Sequence, residues 1–333
     1  MKAVSYTLDT ENTFQNPLVD IEKERPILNV RDVLVKVQAI SVNPVDTKVR
    51  KNINLSNPLR VLGWDAVGEI VEVGKSVSNF KIGDLVWYAG DLTRDGSNAE
   101  FQAVDERIIS LKPKTISDGE AAALPLTAIT AWEMLFDRLK IDQEQTGNIL
   151  IIGGAGGVGS IAIQLLKAKT KLTVIATASR EETKSWIKHL GADYVIDHTK
   201  DLNTQIESLS LEKPTYVFST NHTETYIEQI IELIAPQGKL GLIDDPSSFD
   251  IMPFKRKSVS IHWELMFTRS MFTTSDIDEQ HKILKEVAQL VDNREIKSTL
   301  NQHLGKINAN NLKQAHMLLE SGNAKGKIVL EGF

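Results

Sequence analysis

From Met1 to about Leu111, apolar residues come in short runs closed by turn formers: Val33–Ile40, Ala66–Val73, Leu85–Tyr88 and Glu100–Val104, punctuated by Gly63, Gly68, Gly74 and Gly83. Short Val- and Ile-rich runs between turn residues predict strands, and so many in succession predict an all-β or barrel-like region. The opening Met-Lys-Ala-Val-Ser-Tyr-Thr-Leu alternates like a first strand. It lacks the apolar core and small-residue cleavage site of a secretory signal, so the chain is expected in the cytoplasm. Past Pro113 the period lengthens. Ser117 is placed to cap a helix holding Glu120, Ala121, Ala122 and Ala123, and Leu126–Leu139 continues the helical pattern after Pro125.

From Asn148 onward, buried-type strands alternate with helices. The strands are Ile149–Ile152, Leu172–Ala176, Tyr194–Ile196, Tyr216–Phe218, Lys239–Ile243 and Val259–Phe267, with helices at Val158–Lys167, Glu181–His189, Leu202–Leu209 and Glu224–Leu233. This alternation predicts a doubly wound parallel sheet. The tail predicts helices from Asp276 to about Val291 and over Asn311–Glu320, then a strand at Lys327–Leu330. That strand has no evident partner in the parallel sheet and is expected to return to the N-terminal β region.

Composition narrows the chemistry. Zero cysteines in 333 residues exclude a disulfide framework, thiol nucleophiles and Cys-ligated metals. With 38 Lys+Arg against 44 Asp+Glu, the net charge of -6 disfavours nucleic acid and anionic membranes as partners. The longest apolar run, Ile149–Leu166, is interrupted by Gly153, Gly154, Gly156, Gly157 and Gly159, which mark a tight turn rather than a membrane span. The seven histidines, at 189, 198, 222, 262, 281, 303 and 316, form no metal-binding pair at i,i+4 spacing.

That glycine-rich turn carries the sharpest chemical signal. A buried strand runs into Gly154-x-Gly156-x-x-Gly159 and then into an amphipathic helix, the context in which such a loop cradles a dinucleotide pyrophosphate at a helix N-terminus. In this reading Gly154 makes the turn, Gly156 admits the pyrophosphate and Gly159 lets helix and strand pack, with Gly157 and Val158 completing the cradle. The next strand ends at Ala176-Thr177-Ala178-Ser179-Arg180 with no acidic residue before Glu181. An acid there selects NAD through the ribose 2′-hydroxyl, whereas the hydroxyl of Ser179 and guanidinium of Arg180 suit a 2′-phosphate, so the expected cofactor is NADP. The competing reading is that Ser179 caps the following helix and Arg180 is solvated.

Motifs along nearly the whole chain resemble the medium-chain dehydrogenase/reductase superfamily, in particular its zinc-free quinone oxidoreductase branch, which includes members labelled zinc-type alcohol dehydrogenase-like. They are Ser41-Val-Asn-Pro-Val-Asp-Thr-Lys-Val-Arg50, Leu62-Gly-Trp-Asp-Ala-Val-Gly-Glu-Ile-Val71, Phe80-Lys-Ile-Gly-Asp-Leu-Val86, Pro125-Leu-Thr-Ala-Ile-Thr-Ala-Trp-Glu133, the glycine loop, Leu190-Gly-Ala-Asp193 and Gly326-Lys-Ile-Val-Leu330. The resemblance implies an α/β protein: a Rossmann doubly wound parallel sheet over 126–271, and a GroES-like, β-barrel-type catalytic domain from 1–125 together with 272–333. It also implies a homodimer built on the edge strand before His262–Phe272.

In zinc-dependent members, the catalytic ligands fall at the positions occupied here by Asn43, Trp64 and Leu126. None is a zinc ligand, and the stretch Asp91–Asn98, where a structural zinc lobe would lie, has no cysteine. No metal is therefore expected, and simple alcohols lose their usual Lewis acid. Hydride addition to a quinone or an α,β-unsaturated carbonyl needs only donors for the developing oxyanion. Asn43 is a candidate donor, against an Asx-turn before Pro44. Lys48 stands where related quinone reductases often carry tyrosine, against a solvated lysine. Trp64 is expected to wall the pocket, and Asp46 to fix its loop. By resemblance Thr130 lies beside the nicotinamide, His198 near the adenine end, against a residue that only ends its strand, and Lys325 toward a phosphate, against a merely exposed lysine, the reading its neighbour Lys327 also allows. The alternatives are a zinc-dependent alcohol dehydrogenase, or a non-catalytic family member binding NADPH or, through Lys255-Arg256-Lys257, nucleic acid.

Overall fold

Strand and helix boundaries follow the local chemistry closely in the computed structural model, which describes residues 1–6, 17–52 and 59–333. The chain opens with β1 (Lys2–Tyr6), β2 (Leu18–Glu22), β3 (Asp32–Val42), α1 (Pro44–Lys51), β4 (Ala66–Val73), β5 (Leu85–Tyr88), β6 (Phe101–Asp105) and β7 (Ile109–Leu111). Helices α2 (Asp118–Ala122) and α3 (Pro125–Trp132) follow. Then come β8 (Asn148–Ile152), α4 (Gly157–Lys169), β9 (Thr173–Thr177), α5 (Glu181–His189), β10 (Tyr194–Ile196), α6 (Leu202–Ser208), β11 (Tyr216–Ser219), α7 (Thr223–Leu233), β12 (Lys239–Leu242) and β13 (Ser260–Trp263). The chain closes with α8 (Thr268–Met271), α9 (Glu279–Asp292), β14 (Leu300–His303), α10 (Ala309–Glu320) and β15 (Lys327–Glu331). Of the predicted first strand, Thr7 and Leu8 lie outside the described residues.

Two compact units result, one of residues 1–126, 267–294 and 298–333, the other of 127–266 and 295–297. The second crossing thus falls at Phe267, some residues before the position 272 expected from the motifs, and Glu295–Lys297 joins the second unit. Gln164 explains that excursion: its side chain donates to Lys297 O at 3.1 Å and accepts from Lys297 N at 2.8 Å.

In the first unit β14, β15, β3, β4, β5 and β7 are neighbours in that order, and β6 pairs with β3. The C-terminal strand returns to this sheet: β15 runs antiparallel to β3, Ile328 opposite Val42 and Leu330 opposite Ile40. Helix α2 starts with a reciprocal cap, Ser117 N donating to Glu120 Oε2 at 2.9 Å and Glu120 N to Ser117 Oγ at 3.3 Å.

In the second unit all neighbouring strands are parallel, in the order β10-β9-β8-β11-β12-β13, the 3-2-1-4-5-6 order of dinucleotide-binding sheets. Its core gathers Leu150, Ile152, Val217, Leu240, Leu242 and the inward faces of α6 and α7. Strand β13 is shorter than the predicted Val259–Phe267. Its partner β12 ends at Leu242, so pairing stops, and Glu264 turns inward to meet Arg138 at 2.7 Å. A π-type turn over Glu133–Arg138 supplies that arginine.

Candidate active site

The glycine loop follows β8 directly. Gly153 takes φ +83°, so the left-handed turn belongs to Gly153 and not, as the motif suggested, to Gly154. Gly153 N is held by Thr177 Oγ1 of β9 at 3.0 Å. Gly154 is instead the residue pressed against β9, where an added Cβ would lie 2.9 Å from the Ala176 Cβ. At Gly159 an added Cβ would lie 2.3 Å from Gly153 O, so helix–loop packing demands glycine there. Gly156 differs from both: a Cβ would meet only Gly153 O, at 3.5 Å. The loop is thus closed behind and open at Gly156, with Gly157 and Val158 half-buried at the start of α4. Orphan N–H groups of a helix N-terminus facing an open glycine cradle fit a pyrophosphate.

After β9, Ser179 and Arg180 are half-buried. The N-cap of α5 is Arg180, so Ser179 does not cap the helix. The Arg180 Nε lies 3.6 Å from a Glu182 carboxylate oxygen, an ion pair on open surface that a more highly charged phosphate can compete with. His198, just past β10, packs edge-on against Tyr226, and burial lowers its pKa, with Asp197 opposing the shift. Thr130 is buried within α3. Of the basic run Lys255-Arg256-Lys257, Lys257 donates to the carbonyls of Glu232 and Ile234 at the end of α7, a structural use.

In the first unit, the structure brings together residues that the motifs singled out one at a time. Asn43 is 1% exposed and its amide is spent: Nδ2 donates to Asp65 Oδ2 at 2.9 Å and to Ser41 O at 3.4 Å, while Oδ1 accepts from the Lys327 ammonium. This arrangement leaves Asn43 no N–H to offer a substrate, contrary to the role expected for it. Its backbone N–H goes to Asp46 Oδ2 at 2.6 Å. Burial pushes the Asp46 carboxyl up to about 7. Trp64 is fully buried; its Nε1 donates to Asp91 O at 3.2 Å, Phe267 meets it edge-on, and the Arg60 guanidinium lies over its ring. Lys48 is exposed on α1. Lys325 is half-buried before β15, and the lysine set into the interior is its neighbour Lys327, 3% exposed.

Asp65 and Lys327 are the residues that motif reading missed. Asp65 accepts from Lys327 Nζ at 2.8 Å and from Leu126 N at 2.8 Å. Burial raises its pKa, and the Lys327 ammonium beside it opposes the shift most strongly. A lysine inside the apolar run Gly326–Leu330 was the available signal. The positions that hold zinc ligands in zinc-dependent relatives thus present an amide already bonded, an indole donor and an alkyl chain. That set does not fit zinc, and the described residues contain no cluster of His, Asp and Glu suited to a metal.

The comparisons with known proteins agree with this architecture. A profile described as an alcohol dehydrogenase GroES-like domain matches residues 29–114, and one described as a zinc-binding dehydrogenase matches residues 190–330. A zinc-type alcohol dehydrogenase-like protein of Staphylococcus aureus is 42% identical over 314 residues, 93% of each chain. The 2-methylene-furan-3-one reductase of Solanum lycopersicum is 40% identical over 217 residues, 60% of this chain and 53% of its own. Among solved structures, a Rhizobium etli protein described as a candidate zinc-dependent alcohol dehydrogenase has a TM-score of 0.96 at 54% identity, covering 100% of this chain and 98% of its own. The quinone oxidoreductase of Coxiella burnetii has a TM-score of 0.80 at 27% identity, covering 99% of both. The fold and loop define a dinucleotide-binding oxidoreductase, and the chain belongs to the medium-chain dehydrogenase/reductase superfamily.

Proposed function

We propose that this protein is an NADPH-dependent reductase that transfers hydride to conjugated carbonyls, quinones or α,β-unsaturated ketones and aldehydes, without a metal. The observation that carries the proposal is that one chain holds both an open glycine cradle and, at positions 43, 64 and 126, an amide, an indole and an alkyl chain in place of zinc ligands. NADPH, when bound, supplies the hydride. The N–H groups at the start of α4, around Gly156–Gly159, would hold its pyrophosphate, and Ser179 and Arg180 its 2′-phosphate.

Metal-free chemistry favours acceptors whose negative charge spreads onto a carbonyl oxygen as hydride adds to a conjugated carbon. That oxygen then takes a proton, and one hydrogen-bond donor, for which Lys48 is the candidate, suffices to assist it. The similarity to an enone-type reductase and to a quinone oxidoreductase supports the same class of acceptor. Thr130, His198 and Lys325 remain the proposed further cofactor contacts. We also propose a homodimer through the outer edge of β13, which pairs with β12 on one side and with no described strand on the other, and which carries Trp263 at 52% exposure, followed by Leu265 at 50%. No helix of the described residues is long and apolar enough to cross a membrane; the cytoplasm is the proposed location.

The test is NADPH oxidation across quinones, enones, aldehydes and simple alcohol–ketone pairs, with and without chelator, beside metal analysis of the purified protein. Turnover of conjugated acceptors that chelator leaves unchanged is expected. Activity confined to alcohols and restored only by zinc would overturn the proposal.

A further inference from the structure

A buried polar cluster gathers at the N-terminal end of α1. The ammonium of Lys327 donates to Val42 O at 3.1 Å, Asp65 Oδ2 at 2.8 Å and Asn43 Oδ1, which uses all three of its N–H groups. Asp65, with no exposed surface, carries the connection onward through the Asn43 amide and the Leu126 N–H. One ammonium and one carboxylate therefore join the end of β3, the residue that opens α1, the residue before β4, the first turn of α3 and β15. The pair spans 262 residues of sequence.

A buried ion pair adds little net stability, because desolvation offsets its attraction and well-packed apolar groups often hold a core as firmly. Apolar contact lacks direction, however, and each of these bonds sets one donor against one acceptor. We propose that Asp65 and Lys327 form a positioning clamp that does with the chain's own charges what a bound cation does where positions 43, 64 and 126 carry metal ligands. The clamp holds the start of α1, the helix that bears Lys48, and the start of α3 in one arrangement. Both are positioning residues: they act through the segments they tie. The kinetic consequence rests on the proposed reductase activity; the structural one does not.

The test compares wild type with Lys327→Met/Asp65→Leu, which removes both charges together, and with Lys327→Arg, which keeps the charge but replaces three diverging donors by a planar fork. Amide hydrogen exchange on the cofactor-free proteins reads the clamp directly. The double variant leaves the Asn43 amide and the Leu126 N–H without these partners and should unfold at a lower temperature, so the diagnostic is local: well below that temperature, peptides covering residues 43–51 and 124–130 should exchange at least about tenfold faster, while peptides of β8–β12 exchange as in wild type. The variant's affinity for NADPH should stay within roughly twofold while kcat on an enone falls by about tenfold or more. Lys327→Arg should move both readouts in the same direction by less, and it carries the test alone if the double variant is insoluble. Unchanged exchange overturns the clamp, and full kcat beside faster exchange overturns its positioning role. A wild type without NADPH-dependent turnover overturns the proposed activity and leaves exchange to decide the clamp.

Discussion

Gly156 and Gly159 stand three residues apart and make opposite demands, so a methyl group at each separates cofactor binding from folding. Gly156 has φ −71° and ψ 174°, values open to any residue, and its added Cβ makes only an ordinary contact at 3.5 Å. Alanine there gains about 0.4–1 kcal/mol by restricting the unfolded chain. It loses a comparable amount, roughly 0.5–1 kcal/mol, as a poorer N-cap of α4. The cofactor-free protein should therefore keep its stability to within about 1 kcal/mol. The same methyl occupies the open side of the cradle, and holding the pyrophosphate off the α4 N–H groups should weaken NADPH by about tenfold to a hundredfold, roughly 1.4–2.8 kcal/mol. Gly159→Ala reverses the pattern: its Cβ falls 2.3 Å from Gly153 O and 2.7 Å from Gly154 Cα, backbone atoms that cannot swing aside. Relief requires moving the loop, at a cost of about 1–3 kcal/mol or more. Urea unfolding without cofactor and fluorescence titration with NADPH measure the two effects. A Gly156→Ala protein that binds NADPH as tightly as wild type would refute the assignment of this loop.

Three further outcomes follow from individual side chains. Arg180→Ala should cost about 1.5–3 kcal/mol of NADPH affinity and leave NADH nearly unchanged, since a charge-assisted contact to the 2′-phosphate is lost; equal weakening of both in paired titrations would remove the NADP assignment. Lys48→Ala should lower kcat and kcat/KM together by about tenfold on an enone and by less on a quinone, with NADPH dissociation unchanged; steady-state kinetics on one acceptor of each kind decide it. His316 is fully buried in α10, neither ring nitrogen has a partner, and burial with the nearby Arg50 depresses its pKa from 6.5 to about 3. The unfolded chain takes up this proton first, so stability should fall by about 2 kcal/mol as pH drops from about 8 to about 5, a loss that His316→Leu should abolish. Denaturant titrations of both proteins give the difference and cancel Asp46, whose raised carboxyl works in the opposite sense; parallel pH profiles would refute the claim.

What the sequence made legible was local. The cradle is one contiguous stretch from the end of β8 into the first turn of α4, so spacing alone located it, and the Ser117–Glu120 cap is likewise complete within four positions. The turn residue itself was misplaced by one because glycines are interchangeable in a motif but not in φ, which only the backbone reveals at Gly153. Asp65 and Lys327 left no local trace of each other. Their encounter depends on β15 returning to β3 in one register, with Ile328 opposite Val42, and a shift of one residue would turn Lys327 to the other face of the sheet. Strand β13 was overdrawn for the same reason, since its length is set by where β12 ends.

Trp64 shows that the backbone of a turn and the chemistry of its side chain are set separately. The preceding Gly63 holds φ +103°, and a Cβ there would strike the Asn98 side chain at 2.5 Å, so the backbone demands of this turn persist whatever side chain follows. A histidine at position 64 could ligate a metal; the indole can only donate, and it does so to Asp91. At position 126 the backbone N–H, not the side chain, makes the essential contact, to Asp65. At position 43 an amide bridges a carboxylate and an ammonium. At all three positions the side chain is buried in the interior. A zinc label carried by relatives therefore extends to this chain only as far as the ligands do: at 43 and 126 an aspartate and a lysine hold the backbone and amide in place, and at 64 the indole is bonded to Asp91 O.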